Sequence, residues 1–349
     1  MLSRIAESLF WIGRYIERAE DTARILDVHI HHLLEAPASS ESETCLALLS
    51  IMGVVPADSE PAGGEAANGT PQPLPASPSA DVIGDNPDAR MVTELLAFDE
   101  TNPSSIVSSL TAARVNARGV SEAISSEMWE SLNTTYNALP GQVALGRRIG
   151  PYGFFRFVRE RAAVMAGLTD STMSRDDAWR FLVLGRSLER VDMLARLLST
   201  AVRGGDPEVD WVVLLRSCSA HEAFLRTYHR EPEPSLAAEF LLLDRLFPRS
   251  VFCALSTAEN CLAELDPRSG RAGMTDEPRR ILGLVRTNLE FRRLDDLLED
   301  LPGQLDSVQT GCGAASAALA SRYFRQTKPI EWTLEGTGLG SDLVMGNRT

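Results

Sequence analysis

Two stretches of the chain carry apolar residues at steps that alternate between four and three. The first runs Ile5, Leu9, Ile12, Ile16, Ala19, Ala23, Leu26, Ile30 and Leu33; the second runs Phe181, Leu184, Leu188, Val191, Ala195, Leu198 and Val202. A mean period of 3.5 gathers these side chains on one stripe of a helix, so each stretch predicts a long heptad-patterned helix packed along its length. Shorter runs of helical period predict further helices over 105–138, 154–167, 210–228, 234–246, 250–265 and 277–301. Strand-like alternation does not occur, and the predicted fold is an all-α helical bundle.

The two stripes also share polar residues. Displacing the sequence by 172 positions matches Gly13-Arg14-x-x-Glu17-Arg18 with Gly185-Arg186-x-x-Glu189-Arg190, Ala23-Arg24 with Ala195-Arg196, and Leu26 with Leu198. A second match has a different offset: Asp99, Pro103, Ser105, Ile106 and Leu110 against Asp244, Pro248, Ser250, Val251 and Leu255. In both copies a Pro-x-Ser opens a helix, and serine is a good N-cap. The expectation is one domain over 1–328, internally duplicated, with pseudo-repeats over about 1–140 and 168–301.

Between its matched motifs the first half carries 27 residues more than the second. They fall in the 56–87 stretch, rich in Pro, Gly, Ala, Ser and Asn and without hydrophobic period, which predicts a disordered insert. Loop-closure entropy grows only logarithmically with length, so a helical bundle tolerates such an insert. The 329–349 segment, with Gly336, Gly338 and Gly340, is expected to be a loose tail.

Charge and composition narrow the function classes. The formal charge of −14 opposes general binding to nucleic acid or to an anionic membrane surface. The first 20 residues include Arg4, Glu7, Arg14, Glu17, Arg18 and Glu20, which interrupt any signal-peptide core, and the expected compartment is the cytoplasm. Cys45, Cys218, Cys253, Cys261 and Cys312 show no C-x-x-C spacing and read as reduced thiols packed on helices. Lys328 is the only lysine and follows no Gly-rich loop, so neither a Walker A site nor Schiff-base chemistry has its residue.

The sequence carries no recognisable catalytic constellation. A di-metal carboxylate bundle needs Glu-x-x-His, but Leu26, Val28, His29, Cys218 and Arg226 precede the five histidines by three positions. Asp27 and His31, four apart, are the closest approach to a metal pair and read more simply as a surface contact. No Gly-x-Ser-x-Gly elbow occurs. No metal site and no cofactor are expected. Met165, Met173, Met193 and the tryptophans 11, 129, 179 and 211 read as core, Trp11 being partly exposed.

Two groups of residues remain as site candidates. Arg14, Glu17, Arg18 and Arg24 with Arg186, Glu189, Arg190 and Arg196 are read as flanking the stripes, where opposite charges pair across helices. Packing of the two copies about a pseudo-twofold axis would bring Glu17 to Arg190 and Arg18 to Glu189 in a half-buried network. The alternative is that the arginines hold a carboxylate or phosphate while the glutamates orient them. Arg114, Asn116 and Arg118 form the second group, with Glu122 four positions on, as a solvated ladder or as a ligand pocket or docking surface.

These blocks resemble the bacterial alpha-E family, a helical domain named for its Glu-Arg motif. The resemblance rests on Leu2-Ser3-Arg4-Ile5-Ala6, Trp11, the Gly13 to Arg24 run, Asn102-Pro103-Ser104-Ser105-Ile106, Ala113-Arg114-x-Asn116-Ala117-Arg118, Trp129-x-x-Leu132-Asn133, Thr172-Met173-x-Arg175 and Phe247-Pro248-Arg249-Ser250-Val251. The chain departs from the family in its long 56–87 insert and in Val115, where the family generally has an acidic residue. Family members are similar to proteins encoded beside, or fused to, circularly permuted ATP-grasp ligases and transglutaminase-like peptidases. The resemblance therefore implies an accessory or substrate-positioning partner of an ATP-grasp amide ligase, not catalytic alone. An independent enzyme acting on an acyl or peptidyl intermediate and a structural homo-oligomerisation module are the competing expectations.

Overall fold

A computed structural model describes residues 2–35, 41–54, 87–203, 209–267 and 271–324. The expected insert, save Pro87, and the expected 329–349 tail lie outside the described residues. The chain folds as an all-α bundle of mostly long helices that pack pairwise, with no strand among the described residues. In order they are α1 (Ser3–Glu35), α2 (Glu41–Ile51), α3 (Ala89–Thr93, continued by a π-helical turn over Glu94–Phe98), α4 (Ile106–Arg118), α5 (Ser126–Ile149), α6 (Tyr152–Thr172) and α7 (Asp177–Arg203). There follow α8 (Trp211–Ser217), α9 (His221–Tyr228), α10 (Pro234–Leu243), α11 (Val251–Leu265), α12 (Glu277–Phe291), α13 (Leu294–Glu299) and α14 (Leu301–Tyr323).

Several expected helices are divided, each by a local device. The one expected over 105–138 ends at Arg118 and restarts at Ser126, where the Ser125 side chain accepts from the Met128 amide as an N-cap. The 210–228 helix breaks at Ser219, whose φ of 54° is left-handed. The 234–246 helix stops at Leu243 because the Asp244 carboxylate turns back to accept from the Leu246 and Phe247 amides. The 277–301 helix ends at Phe291, and Asp300 caps a new helix, α14, that the hydrophobic pattern had not suggested. Ser105 and Ser250 cap α4 and α11 through the amides three residues on, as the Pro-x-Ser motifs imply.

Helices α1 and α7 sit at the centre. Helix α1 packs on α7, α4, α6 and α8, and α7 packs also on α11 and α14. Both central helices therefore bury far more than one stripe. Of the first stripe, Leu9, Ile12, Ile16, Ala19, Ala23, Leu26 and Ile30 are buried, and so are the off-stripe Phe10 and Ile25. The tryptophans are half-buried rather than core, with Arg14 over Trp11, Arg114 over Trp129 and Arg175 over Trp179 at 5.6, 5.6 and 4.1 Å.

The two central helices cross at Gly13 and Gly185. A Cβ on Gly13 would lie 2.0 Å from the Leu182 carbonyl oxygen, and one on Gly185 would lie 2.0 Å from that of Phe10. No side chain larger than hydrogen fits such a backbone-to-backbone contact. Gly13→Ala or Gly185→Ala should therefore cost at least about 3 kcal/mol, the high end of overpacking, or prevent folding. Gly167→Ala in α6, with nothing within 4 Å of its Cβ, should instead add about 0.5–1 kcal/mol through helix propensity. Denaturant melts of the three variants measure this, and equal effects would show that the crossing is not a tight one.

Candidate functional site

One helical turn beyond each glycine stands a glutamate followed by an arginine, and the close crossing puts each pair within reach of the other helix. Arg190 donates through Nε and Nη2 to both Glu17 oxygens at 2.6 and 2.9 Å. In the opposite sense Arg18 donates through Nε and Nη2 to Glu189 at 2.6 and 3.2 Å. Both are forked guanidinium–carboxylate pairs, the strongest geometry available to these groups. Arg14 adds a third donor to Glu189 at 2.5 Å.

These glutamates do not flank a stripe. Each is only 1% exposed, because α1 and α7 are covered on several sides. The expected half-buried network is in fact a buried one. Burial opposes the charge on Glu189, yet Arg14 and Arg18 outweigh it and bring its carboxyl down to about 2. Burial likewise opposes the charge on Glu17, and Arg190 and Arg249 hold it below the usual carboxylate range.

Arg249, in the Pro248-Arg249-Ser250 turn ahead of α11, was not among the expected site residues and is a hub of the network. Its guanidinium lies 3.2 Å from Glu17 and 2.7 Å from Asp21 and also binds Glu20. Glu20 in turn accepts from Arg24 at 2.7 Å, and Arg24 reaches on to the Ser219 hydroxyl. Burial and then the Glu17 charge push Asp21 up to about 7, against the pull of Arg249. Asp21 is thus the member of the cluster that holds a proton near neutrality. A cavity of ≈20 Å³, room for about one water, lies beside Asp21, Arg190, Arg249 and Cys218.

The remaining candidates take other positions. Arg186 lies 3.7 Å from Asp170, and burial and the Arg190 charge lower its pKa. Arg196 pairs with Asp192 at 3.1 Å. Arg114 is half-buried, 4.9 Å over the Tyr136 ring and 3.3 Å from the Asn133 side-chain oxygen, while Arg118 is exposed. Asn116 donates to the Ala112 carbonyl at 2.9 Å. The Arg114–Arg118–Glu122 ladder does not form, because α4 ends at Arg118 and Glu122 lies in a separate 3-10 turn.

Among the described residues no group of three or more His, Cys, Asp or Glu is placed to hold a metal ion. Asp27 is taken by Arg159 at 2.9 Å as well as by His31 at 3.4 Å. The cysteines are unpaired, and burial pushes Cys218 and Cys312 up to about 12, far from a reactive thiolate. No described helix is long and apolar enough to cross a membrane.

Two measurements probe the network. Glu17→Arg should cost about 4 kcal/mol, because it strands Arg190 and Arg249 in a buried site, and adding Arg190→Glu should recover part of that. A double-mutant cycle with coupling under about 0.5 kcal/mol would show that the two residues do not depend on each other. The Asp21 carboxyl binds a proton in the folded chain up to about pH 7 and in the unfolded chain only to about 3.8, so its contribution is full below the lower value. That contribution is lost as pH rises through about 7. The melting temperature should fall between pH 5 and pH 8, and Asp21→Asn should flatten that fall; parallel profiles would show that Asp21 is ionised throughout.

A family model described as a predicted alpha-helical domain with a conserved ER motif matches residues 1–324. Uncharacterized proteins of Mycobacterium bovis and of two Mycobacterium tuberculosis strains are similar to this chain, each 24% identical over 308 residues. The match covers 85% of this chain and 33% of each relative, so the chain spans about a third of the length of these proteins. No solved structure matches it. With the model covering nearly the whole chain and its Glu-Arg motif occupying the crossing of the two central helices, the chain belongs to the Alpha-E family.

Proposed function

We propose that this chain is an accessory, substrate-positioning partner of an ATP-grasp amide ligase, built from a duplicated helical unit whose Glu-Arg motifs fix its architecture. The observation that carries the partner reading is an exposed apolar patch. Leu246 is 90% exposed and Phe291 is 80% exposed, and the Arg245–Glu290 pair at 3.0 Å holds their two segments together. Leu284, two turns before Phe291 on α12, is 60% exposed. Large apolar side chains left exposed on segments that an ion pair holds together have the composition of a protein interface.

The closed state of the Glu-Arg network supports the same reading. An enzyme using those residues needs room for substrate where they meet, and the cavity beside them is ≈20 Å³. The relatives, three times as long as the matched region, have room in one polypeptide for a further catalytic unit. The duplication is supported by reciprocity: Arg18 to Glu189 mirrors Arg190 to Glu17, and Gly13 against Leu182 mirrors Gly185 against Phe10. Each pair is related by the same offset of 172.

The test is co-purification with an ATP-grasp ligase from the same genome, followed by an amide-forming assay with and without this chain. Leu246→Asp with Phe291→Asp should weaken the complex at least tenfold while circular dichroism stays unchanged, since both side chains are exposed. Self-association of the isolated chain in sedimentation, abolished by the same pair, would favour the oligomerisation module instead. ATP turnover by the isolated chain would replace the partner reading with that of an independent enzyme.

A further inference from the structure

A cavity of ≈390 Å³ opens between α2, α7 and α14, away from the Leu246–Phe291 patch and outside the Glu-Arg network. Its volume is within the usual range of small-molecule sites. Helix α7 supplies Arg196, Ser199, Thr200 and Arg203 at steps of three, one and three, which places them along one face. Ser50 of α2 and Asp306 of α14 close the sides.

Arg196, partly exposed, has contacts on two sides. Asp192, one turn earlier, grips it at 3.1 Å, and Asp192 also lies 3.8 Å from Arg14, the residue that binds Glu189. On its other side lies Gly53, with φ +73°, where a Cβ would come 2.9 Å from the Arg196 Nη1. The Arg196 Nε is buried without a hydrogen-bond partner. The hydroxyls of Ser50, Ser199 and Thr200, which line the cavity, make no hydrogen bond to other described residues. Hydrogen-bonding capacity that the fold itself leaves unused is what a polar ligand requires.

The two ends of the cavity differ in sign. At one end stands the Arg196 guanidinium. At the other, Asp306 pairs with Arg203, both half-exposed, and the last turn of α7 presents the negative end of its helix dipole. A simple anion such as phosphate meets Asp306 and the C-terminus of α7; a simple cation meets two arginines. A ligand bearing both charges satisfies both ends.

We propose that this cavity binds a small zwitterion, a free amino acid or short peptide, with its carboxylate on Arg196 and the adjacent hydroxyls and its ammonium on Asp306 in exchange for Arg203. The inference stands on the cavity alone and does not rest on the partner reading. It is tested on the intact chain by calorimetric titration with each of the twenty standard amino acids, with acetate, methylammonium and inorganic phosphate as single-charge controls. At least one amino acid should bind at millimolar concentration or below and no control should. Arg196→Gln and Asp306→Asn should each weaken that binding tenfold or more. Thr200→Val, which leaves the Asp192 contact intact, should weaken it severalfold, so that a disturbed network in Arg196→Gln does not decide the result. Binding of phosphate or acetate as tight as any amino acid and indifferent to Asp306→Asn would overturn the zwitterion in favour of a plain anion site. Absence of binding by every probe at about tenfold the millimolar range would overturn the site.

Discussion

Everything in this bundle depends on how closely α1 and α7 can cross. Glycine at 13 and 185 lets each backbone touch the carbonyl of the other helix, Leu182 in one case and Phe10 in the other. Only at that separation do Arg18 and Arg190 reach across with both prongs of the guanidinium. The ion pairs in turn fix the register of the crossing, since a slide of one turn would leave buried Glu17 and Glu189 without partners. Stranding a buried charge costs several kcal/mol, whereas the net worth of the intact pair against apolar packing is small. The motif therefore discriminates against wrong packings more than it adds stability to the right one.

This use of arginine commits the residues to contacts within the fold. A guanidinium already shared among two or three carboxylates, as at Arg249, has little left to offer a substrate. The carboxylates are equally committed, with Glu189 held down at about 2 and so a poor base near neutrality. The two proposed binding sites lie elsewhere, on the flank of α7 that carries Arg196 and around the exposed Phe291.

The sequence made the central part of this arrangement legible and the periphery much less so. Glu17 with Arg190 and Arg18 with Glu189 followed from aligning two copies of one motif and supposing that they face each other. That argument works because the contact joins equivalent residues. Arg249 lay in the quoted Phe247 to Val251 block yet gave no signal as a network member, because its partners, Glu17, Glu20 and Asp21, are 228 to 232 positions away and no local spacing encodes them. Burial was underestimated for a similar reason: a stripe predicts one buried face, while a helix surrounded by α4, α6, α7 and α8 buries most of its surface. Helix α14 was missed because it is rich in Gly, Ala, Ser and Gln, and its stability comes from packing on α7 and α12 rather than from a marked apolar stripe.

On the proposed duplication, the two halves have diverged. Asp21 corresponds to Met193 at the offset of 172, and Arg249 corresponds to Ser104 under the second match, so neither the acid nor the base has a counterpart in the other half. The two touch at 2.7 Å. Arg24 and Arg196 occupy equivalent positions and each grips an acid one turn earlier, Glu20 and Asp192. Their outer sides differ. Arg24 is capped by the Ser219 hydroxyl, presented by the left-handed residue between α8 and α9, whereas Arg196 faces the space beneath α14. On the proposed duplication, two equivalent arginines are thus gripped in the same way, and the neighbouring helices give them different outer surroundings.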